Sequence, residues 1–320
     1  MDVINETPFP FVEFESRTPT DRFHTLVLQG TFAIARDHLH ALTDQPAVRV
    51  KNEYCGEPGR SSLTLESALA PYKRATDIHV NAVARAARRA REWPVSLCVG
   101  KIVKRLRVRG WHVWRYQDGA WHRTLPEPCR EVRICYELAF GGSYEHKGEL
   151  VRYEENPYGT GWIHDRTPTE HDIAAPQIVA DDEPEHEPGG TYRPAGLGPM
   201  VGSQEQRTFC SSASAGLACP GYLWGDEQIE LSNLGAPGVR RFSLPNVWLN
   251  ALLDYGDDVV ITRILVLNTL HIDVADANPT RHWVLLTWRC VFPADPAPRR
   301  VIARATEDAH SENRVGPPQT

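Results

Sequence analysis

The stretch HTLVLQGTFAI, residues 24–34, alternates apolar and polar side chains: Leu26, Leu28, Phe32 and Ile34 fall on one face, and Thr25, Gln29 and Thr31 on the other. Period two commits a segment to a β-strand, because successive side chains of an extended chain point to opposite sides. The pattern recurs. Ile78, Val80 and Ala82 alternate with Asp77, His79 and Asn81, and Val132, Ile134, Tyr136 and Leu138 with Arg133, Cys135 and Glu137. Val95, Leu97 and Val99 shift phase at Gly100-Lys101 into Leu106 and Val108. A second shift at Gly110 leads to Trp111, Val113 and Arg115, and Asp118-Gly119 supplies a further turn, so this region reads as a meander. Val260, Ile264, Val266, Leu270, Ile272 and Val274 read as one face of a long strand. Asp276-Ala277-Asn278-Pro279 ends it, and Trp283 to Trp288 follows as a strand buried on both faces. Residues 82–92, AVARAARRARE, suit a helix by propensity and an extended connection by their flanks equally well.

With 25 prolines and 23 glycines in 320 residues, the chain turns too often for long helices. The expected fold is mainly β: an antiparallel sandwich or barrel-like sheets built from meanders and hairpins, with a loop-rich middle and little helix. Residues 1–293 are expected to form one large domain, or lobes at 1–142 and 222–293 with the loop-rich 143–221 packed between. Residues 294–320, with Pro296, Pro298, Pro317 and Pro318, read as a poorly ordered tail. The net charge of −6 gives no pull toward nucleic acid or anionic membranes. No run approaches the roughly 20 apolar residues that span a bilayer, and the N-terminus lacks the basic start and apolar core of a secretory signal. Seven cysteines, an odd number without CxxC spacing, fit a reducing compartment better than a disulfide framework. A bacterial cytoplasmic protein is expected.

Catalytic and cofactor signatures are missing: no GxSxG, HExxH, P-loop or GxGxxG occurs. No cofactor and no small-molecule substrate are expected. His164, Asp165, His171, Asp172, Asp181, Asp182, Glu183 and His186 cluster between 164 and 187. These types bind divalent metals, but they show no ligand spacing, and a solvated acidic loop is the plainer reading. A metal-dependent hydrolase built on that loop is one alternative function. A carbohydrate-binding β-sandwich, motivated by nine tryptophans, is another. Arg105, Arg107 and Arg109 alternate within the densest basic stretch and are expected to line one exposed strand face, near Trp111 and Trp114. A solvated face or a dock for an acidic protein surface both fit.

The sharpest signals are seven blocks in order: YCGEPGRSSLTLESALAPYKRATDIHVNAVA (54–84), KRLRVRGWHVW (104–114), YELAFGG (136–142), NPYGTG (156–161), YRPAGLGP (192–199), YLWGDEQIELSNLGAPGVRRFSLP (222–245) and VLNTLHIDVADANPTRHWVLLTWR (266–289). Their order and spacing resemble the bacterial family called domain of unknown function 2169, over roughly residues 5–293. The resemblance implies an adaptor or chaperone of type VI secretion, which binds an effector, its PAAR-like carrier or the spike protein. Protein contacts are then expected at Arg105, Arg107, Arg109, Trp111, Trp114, Tyr222 and Trp224. Ser61, Ser62, Glu66, Pro71, Asp77, Asn81, Gly141, Gly142, Asn156, Pro157, Gly159, Gly161, Gly196, Gly198 and Pro199 read as turn and loop residues with structural roles. Two departures stand out. Ala68 replaces a common acidic residue, and the stretch after Pro199 is some tens of residues shorter than usual, where cargo contact could differ.

Overall fold

The computed structural model describes residues 1–17, 21–163, 171–200 and 210–306. The fold is mainly β. Strands Asp2–Asn5, Arg300–Thr306, Trp248–Gly256, Val259–Val274, Trp283–Pro293, Arg22–Ala35 and Phe11–Arg17 hydrogen-bond side by side in that order. The two edge strands, Asp2–Asn5 and Phe11–Arg17, are joined by residues 6–10 alone. Such a link reaches roughly 20 Å when fully extended, whereas seven flat strands would span about 29 Å. The sheet must therefore curl into a half-barrel.

Strand Val259–Val274 is the spine of this sheet. Its first half pairs antiparallel with Trp248–Gly256, and its second half pairs parallel with Thr76–Ala90, from Thr269 beside Asp77 to Val274 beside Ala82. A second sheet runs Ile178–Ala180, Ile102–Arg109, Glu92–Val99, Gln228–Ser232 and Val239–Ser243. The core lies between the sheets, where Leu28, Ile78, Val80 and Leu286 of the first meet Leu97, Leu106, Val108, Ile229 and Phe242 of the second. Each fully buried side chain of this size stabilises by about 1.5–3 kcal/mol. Each sheet draws strands from both halves of the chain, so 1–142 and 222–293 do not form separate lobes.

Two readings need correction, and one open alternative is decided. Residues 82–90 take the extended form of the two that fitted them; they continue strand Thr76–Ala90 and pair with Cys129–Ile134. Helix propensity is worth only tenths of a kcal/mol per residue, and the ladder together with the burial of Ala82 and Ala84 outweighs it. Residues 300–306 are not part of a loose tail. They form a strand beside Trp248–Gly256, with Val301 and Ala303 buried. Val260 to Val274 do not share one face either. The register shifts between Leu267 and Thr269, and one extra residue turns every later side chain over. Leu270, Ile272 and Val274 therefore point into the core, while Val260 and Ile264 point outward.

The described part of the middle segment is, as expected, loops and short strands, among them the hairpin Ser143–His146 and Glu149–Arg152. No helix among the described residues is long and apolar enough to cross a membrane.

Candidate functional site

The family blocks, scattered in sequence, meet around the turn Tyr136–Leu138. Ser62 donates its backbone N–H and its hydroxyl to the Glu137 carboxylate, at 2.7 and 2.8 Å. Ser61 Oγ accepts the Gly56 N–H and donates to the Glu57 carbonyl, fixing the preceding turn. The buried Asn156 side chain donates to the carbonyls of Tyr136 and Phe140, at 2.9 and 3.0 Å. Gly141, at φ +146°, leaves no room for a Cβ against the Asn156 backbone, and Gly142 beside it is at φ +134°. A Cβ on Gly159 would strike the Asn156 amide, and one on Gly161 would lie 2.6 Å from the Trp114 ring. The Tyr136 hydroxyl donates to the Gly198 carbonyl, and its ring lies where a Cβ on Gly196 would go. Pro199 is buried and Pro157 half-buried beside these contacts.

A second centre occupies the polar face of the half-barrel. Gln29, Thr31, Asp77, His79, Thr269, His271, Thr287 and Arg289 alternate with core residues, yet they are themselves buried. Residues 45–73 and 210–222 cover them. Lys73 Nζ bonds Glu66 and lies 2.6 Å from Asp77 Oδ2, with all three side chains almost wholly out of solvent. Ser211 Oγ and the Ser212 N–H donate to Asp77, at 2.6 and 2.9 Å. Thr25 Oγ1 donates to the Pro71 carbonyl and Asn81 to Asp273, each at 2.8 Å. Glu66, Asp77 and His79 are the only group among the described residues placed to share a metal ion. The Lys73 ammonium already bridges the two carboxylates and supplies the positive charge they need. Burial by itself would raise the Glu66 pKa, but the Lys73 charge and the His79 contact outweigh it and hold that carboxyl well below its usual range.

His271 shows the opposite balance. Burial, helped by nearby His79, lowers its pKa from 6.5 to about 3, so the imidazole is neutral when folded. The unfolded chain then binds one more proton between those two pH values. The stabilisation is complete above pH 6.5 and is lost as pH falls toward 3, with a slope of up to about 1.4 kcal/mol per pH unit. Urea unfolding from pH 7.5 down to pH 4 should show this slope, and His271→Gln should flatten it. An equal slope in the variant would rule His271 out as its source.

The basic strand face is not open. Arg105 is exposed, but Arg107 is half-buried and Arg109 is buried. Glu185 alone accepts from Arg107 at 3.1 Å, Arg109 at 2.5 Å and Arg123 at 2.7 Å, and Glu92 also holds Arg109. Asp181 faces Arg107, Asp172 pairs with Arg115, and Glu183 holds His186. The acidic loop and the basic strand, read separately in sequence, neutralise each other. Arg107 and Arg109 are therefore corrected from docking residues to internal partners. His164 and Asp165 lie outside the described residues. Glu185→Ala should cost about 1–2 kcal/mol, since charged hydrogen bonds to a buried guanidinium are lost at a partly wet site. Denaturant titration checks this.

Of the aromatic residues expected at an interface, Trp114 is buried against Phe140, Tyr153 and Ala175, also a correction. Tyr222 is half-buried and donates to the Lys73 carbonyl at 2.5 Å. Trp111 is 54% exposed and Trp224 is 42% exposed. Trp224 packs on Trp248, with ring centroids 5.5 Å apart. That pair begins an outward face on which apolar side chains are interspersed with polar ones, among them Asn250, Thr262 and Arg304. Trp248, Asn250 and Leu252 point the same way along their strand. Leu252 lies beside Ile302, Ile302 beside Ile4, and Asn250 beside Ile264. Ile4, Val260 and Ile264 are 41%, 56% and 49% exposed. The edge strand Asp2–Asn5 that borders this face has no partner on its outer side among the described residues.

A family model described as "Uncharacterized protein conserved in bacteria (DUF2169)" matches residues 21–210 and 204–289. The chain belongs to this family. A search of the curated proteins and a search of the solved structures returned no match. For this DUF2169 member, two features escaped the sequence reading. The outward face was hidden by the register shift at 267–269. The buried polar centre did leave a trace: the polar faces of 25–31, 77–81, 269–271 and 287–289 carry Thr, Gln, His and Asp with hardly a Lys or Glu, a composition suited to a covered face rather than to water. The short stretch after Pro199 also has a place. Its described part, from Cys210, seals that centre through Ser211 and Ser212. Residues 201–209 lie outside the described residues.

Proposed function

We propose that this protein is a non-enzymatic adaptor of a bacterial type VI secretion system, working in the cytoplasm. It holds an effector, or the PAAR-like protein that carries one, and hands it to the spike. The observation that carries this reading is the outward face running from Trp224 and Trp248 to Ile264, Leu252, Ile302 and Ile4, bordered by an unpaired strand edge. Exposed apolar patches rimmed by polar residues are the usual mark of a protein contact, and a free edge accepts an added strand. The charged centres support the same reading from the other side, because Lys73, Glu66, Asp77, Glu185 and their arginines are committed to one another.

Deleting the gene in the native bacterium should leave the effector synthesised but absent from the secreted fraction, and the wild-type gene should restore export. Normal export without the gene would overturn the proposal.

A further inference from the structure

Arg289 lies beneath the cover of the polar centre and is only 3% exposed. Its Nη2 donates to the Ala68 carbonyl at 2.7 Å. Its Nε and Nη1 are buried and have no hydrogen-bond partner among the described residues. The two carboxylates of the centre are engaged elsewhere. Glu66 bonds Lys73 and Ser212, and Asp77 bonds Lys73, Ser211 and Ser212. The formal charges of Glu66, Asp77, Lys73 and Arg289 cancel, yet the guanidinium forms no ion pair with either carboxylate. A buried charge is ordinarily paired at contact.

Arg289 borders a cavity of about 10 Å³, together with Ala68, Thr287, His79 and His271. That is room for one small occupant. The wall is rich in donors. Thr287 Oγ1 accepts from Gln29 Nε2 at 3.0 Å, so its own hydrogen is left to donate. His79 and His271 each leave Nδ1 without a partner. The oxygen acceptors of the wall already hold donors. Gln29 Oε1 accepts the Arg49 N–H, Glu66 accepts from Lys73 and Ser212, and the Ala68 carbonyl accepts from Arg289. A water would have to place two hydrogens against such a wall, and it would leave the guanidinium without a counter-charge at contact. A monatomic anion accepts from every side and donates nothing.

We propose that this cavity is a binding site for one small monovalent anion, chloride or a halide of similar size, held by Arg289 beneath residues 65–68. The Arg289 Nε and Nη1 hydrogens and the Thr287 hydroxyl are the donors, and His271, neutral when folded, adds an imidazole N–H. Burial draws the Arg289 pKa from 12.5 down to about 10, against the pull of Glu66. The guanidinium still carries its charge at neutral pH, and an anion at contact offsets the burial that opposes it. Ala68 belongs to the cover, whereas Thr287 and Arg289 belong to strand Trp283–Pro293. The ion therefore fastens cover to sheet. Only the folded chain brings these groups together, so stability reports the binding.

The test uses the full-length protein at about pH 7.5, with sodium gluconate replaced stepwise by sodium chloride at constant ionic strength. Gluconate is too large for the cavity. Tm should rise by about 3 °C or more as about 0.3 M gluconate gives way to chloride, and bromide should act likewise. Ala68→Asp sets a carboxylate of the chain's own beside Arg289, so its Tm should no longer respond to chloride. Arg289→Met should also lose the response, and Arg88→Ala, on an exposed residue of strand Thr76–Ala90, should keep all of it. Crystals of wild type grown in bromide should show an anomalous peak bonded to Arg289 Nε or Nη1. Equal Tm in chloride and gluconate, an undiminished response in Ala68→Asp, or a water at Arg289 with bromide only at exposed arginines would each overturn the proposal. The titration and the bromide map are made on wild type, so the outcome does not depend on the variants folding, and it is independent of the adaptor reading.

Discussion

Lys73→Ala is expected to destabilise the protein by about 3–5 kcal/mol, the usual cost of removing one partner from a buried ion pair. The reason is the company Lys73 keeps. Its ammonium lies between Glu66 and Asp77, and the lysine is 4% exposed and Asp77 not at all. Alanine would leave two carboxylates facing each other in a covered site, where neither solvent nor another lysine can neutralise them. Equilibrium urea unfolding at pH 7 measures the loss. Lys73→Met combined with Glu66→Gln should recover part of it, because the second change removes one of the stranded charges and fills similar space. A loss under 1 kcal/mol for Lys73→Ala would mean the centre is far wetter than its burial implies. Adding zinc or magnesium to the alanine variant sharpens the point. If the site is a metal centre with lysine as a stand-in, divalent ions should restore stability, whereas an ion network without metal predicts no recovery.

The second large effect concerns binding. Ile264→Arg and Trp224→Ala should each weaken partner capture by about 30-fold or more, equivalent to about 2 kcal/mol. Both side chains are exposed in the free protein. Ile264→Arg should therefore leave unfolding within about 0.5 kcal/mol of wild type, and Trp224→Ala, which also loses the ring contact with Trp248, should cost no more than about 1.5 kcal/mol. This separation of effects is the content of the prediction. Arg105→Ala, on the exposed end of the basic strand, is the comparison. If it weakens capture and Ile264→Arg does not, the partner docks on the second sheet and the outward face of the half-barrel is something else.

Much of the framework was legible in sequence because period-two alternation is a local signal. Residues 24–34, 95–108 and 283–288 fold as the strands their patterns describe. The failures were all long-range. One extra residue between Leu267 and Thr269 reversed the facing of Val260 and Ile264, and no local feature announces such a shift. The run AVARAARRARE, which fitted helix and extended chain equally, is a strand because Cys129–Ile134 lies beside it, which propensity does not register. Arg107 and Arg109 looked exposed because their partner Glu185 is 78 and 76 positions away in sequence. The candidate centres follow the same rule. Ser62, Glu66, Asp77, Asn156 and the glycines near them were visible as marked residues, but which residue each one holds is fixed only by the packing of distant blocks. His79, His271 and Arg289 gave no signal because a polar strand face is ordinarily read as facing water, and Lys73 gave none because it lies in the loop before strand Thr76–Ala90.

The most direct test of the adaptor reading is affinity capture from the native bacterium under secreting conditions. Wild type and Ile264→Arg would be used in parallel, and the captured proteins identified by mass spectrometry. The expected result is an effector or a PAAR-like protein held in near-stoichiometric amount by wild type and lost from the Ile264→Arg protein, with both baits equally folded. Recovery of no effector, PAAR-like or spike protein by wild type would contradict the adaptor reading outright.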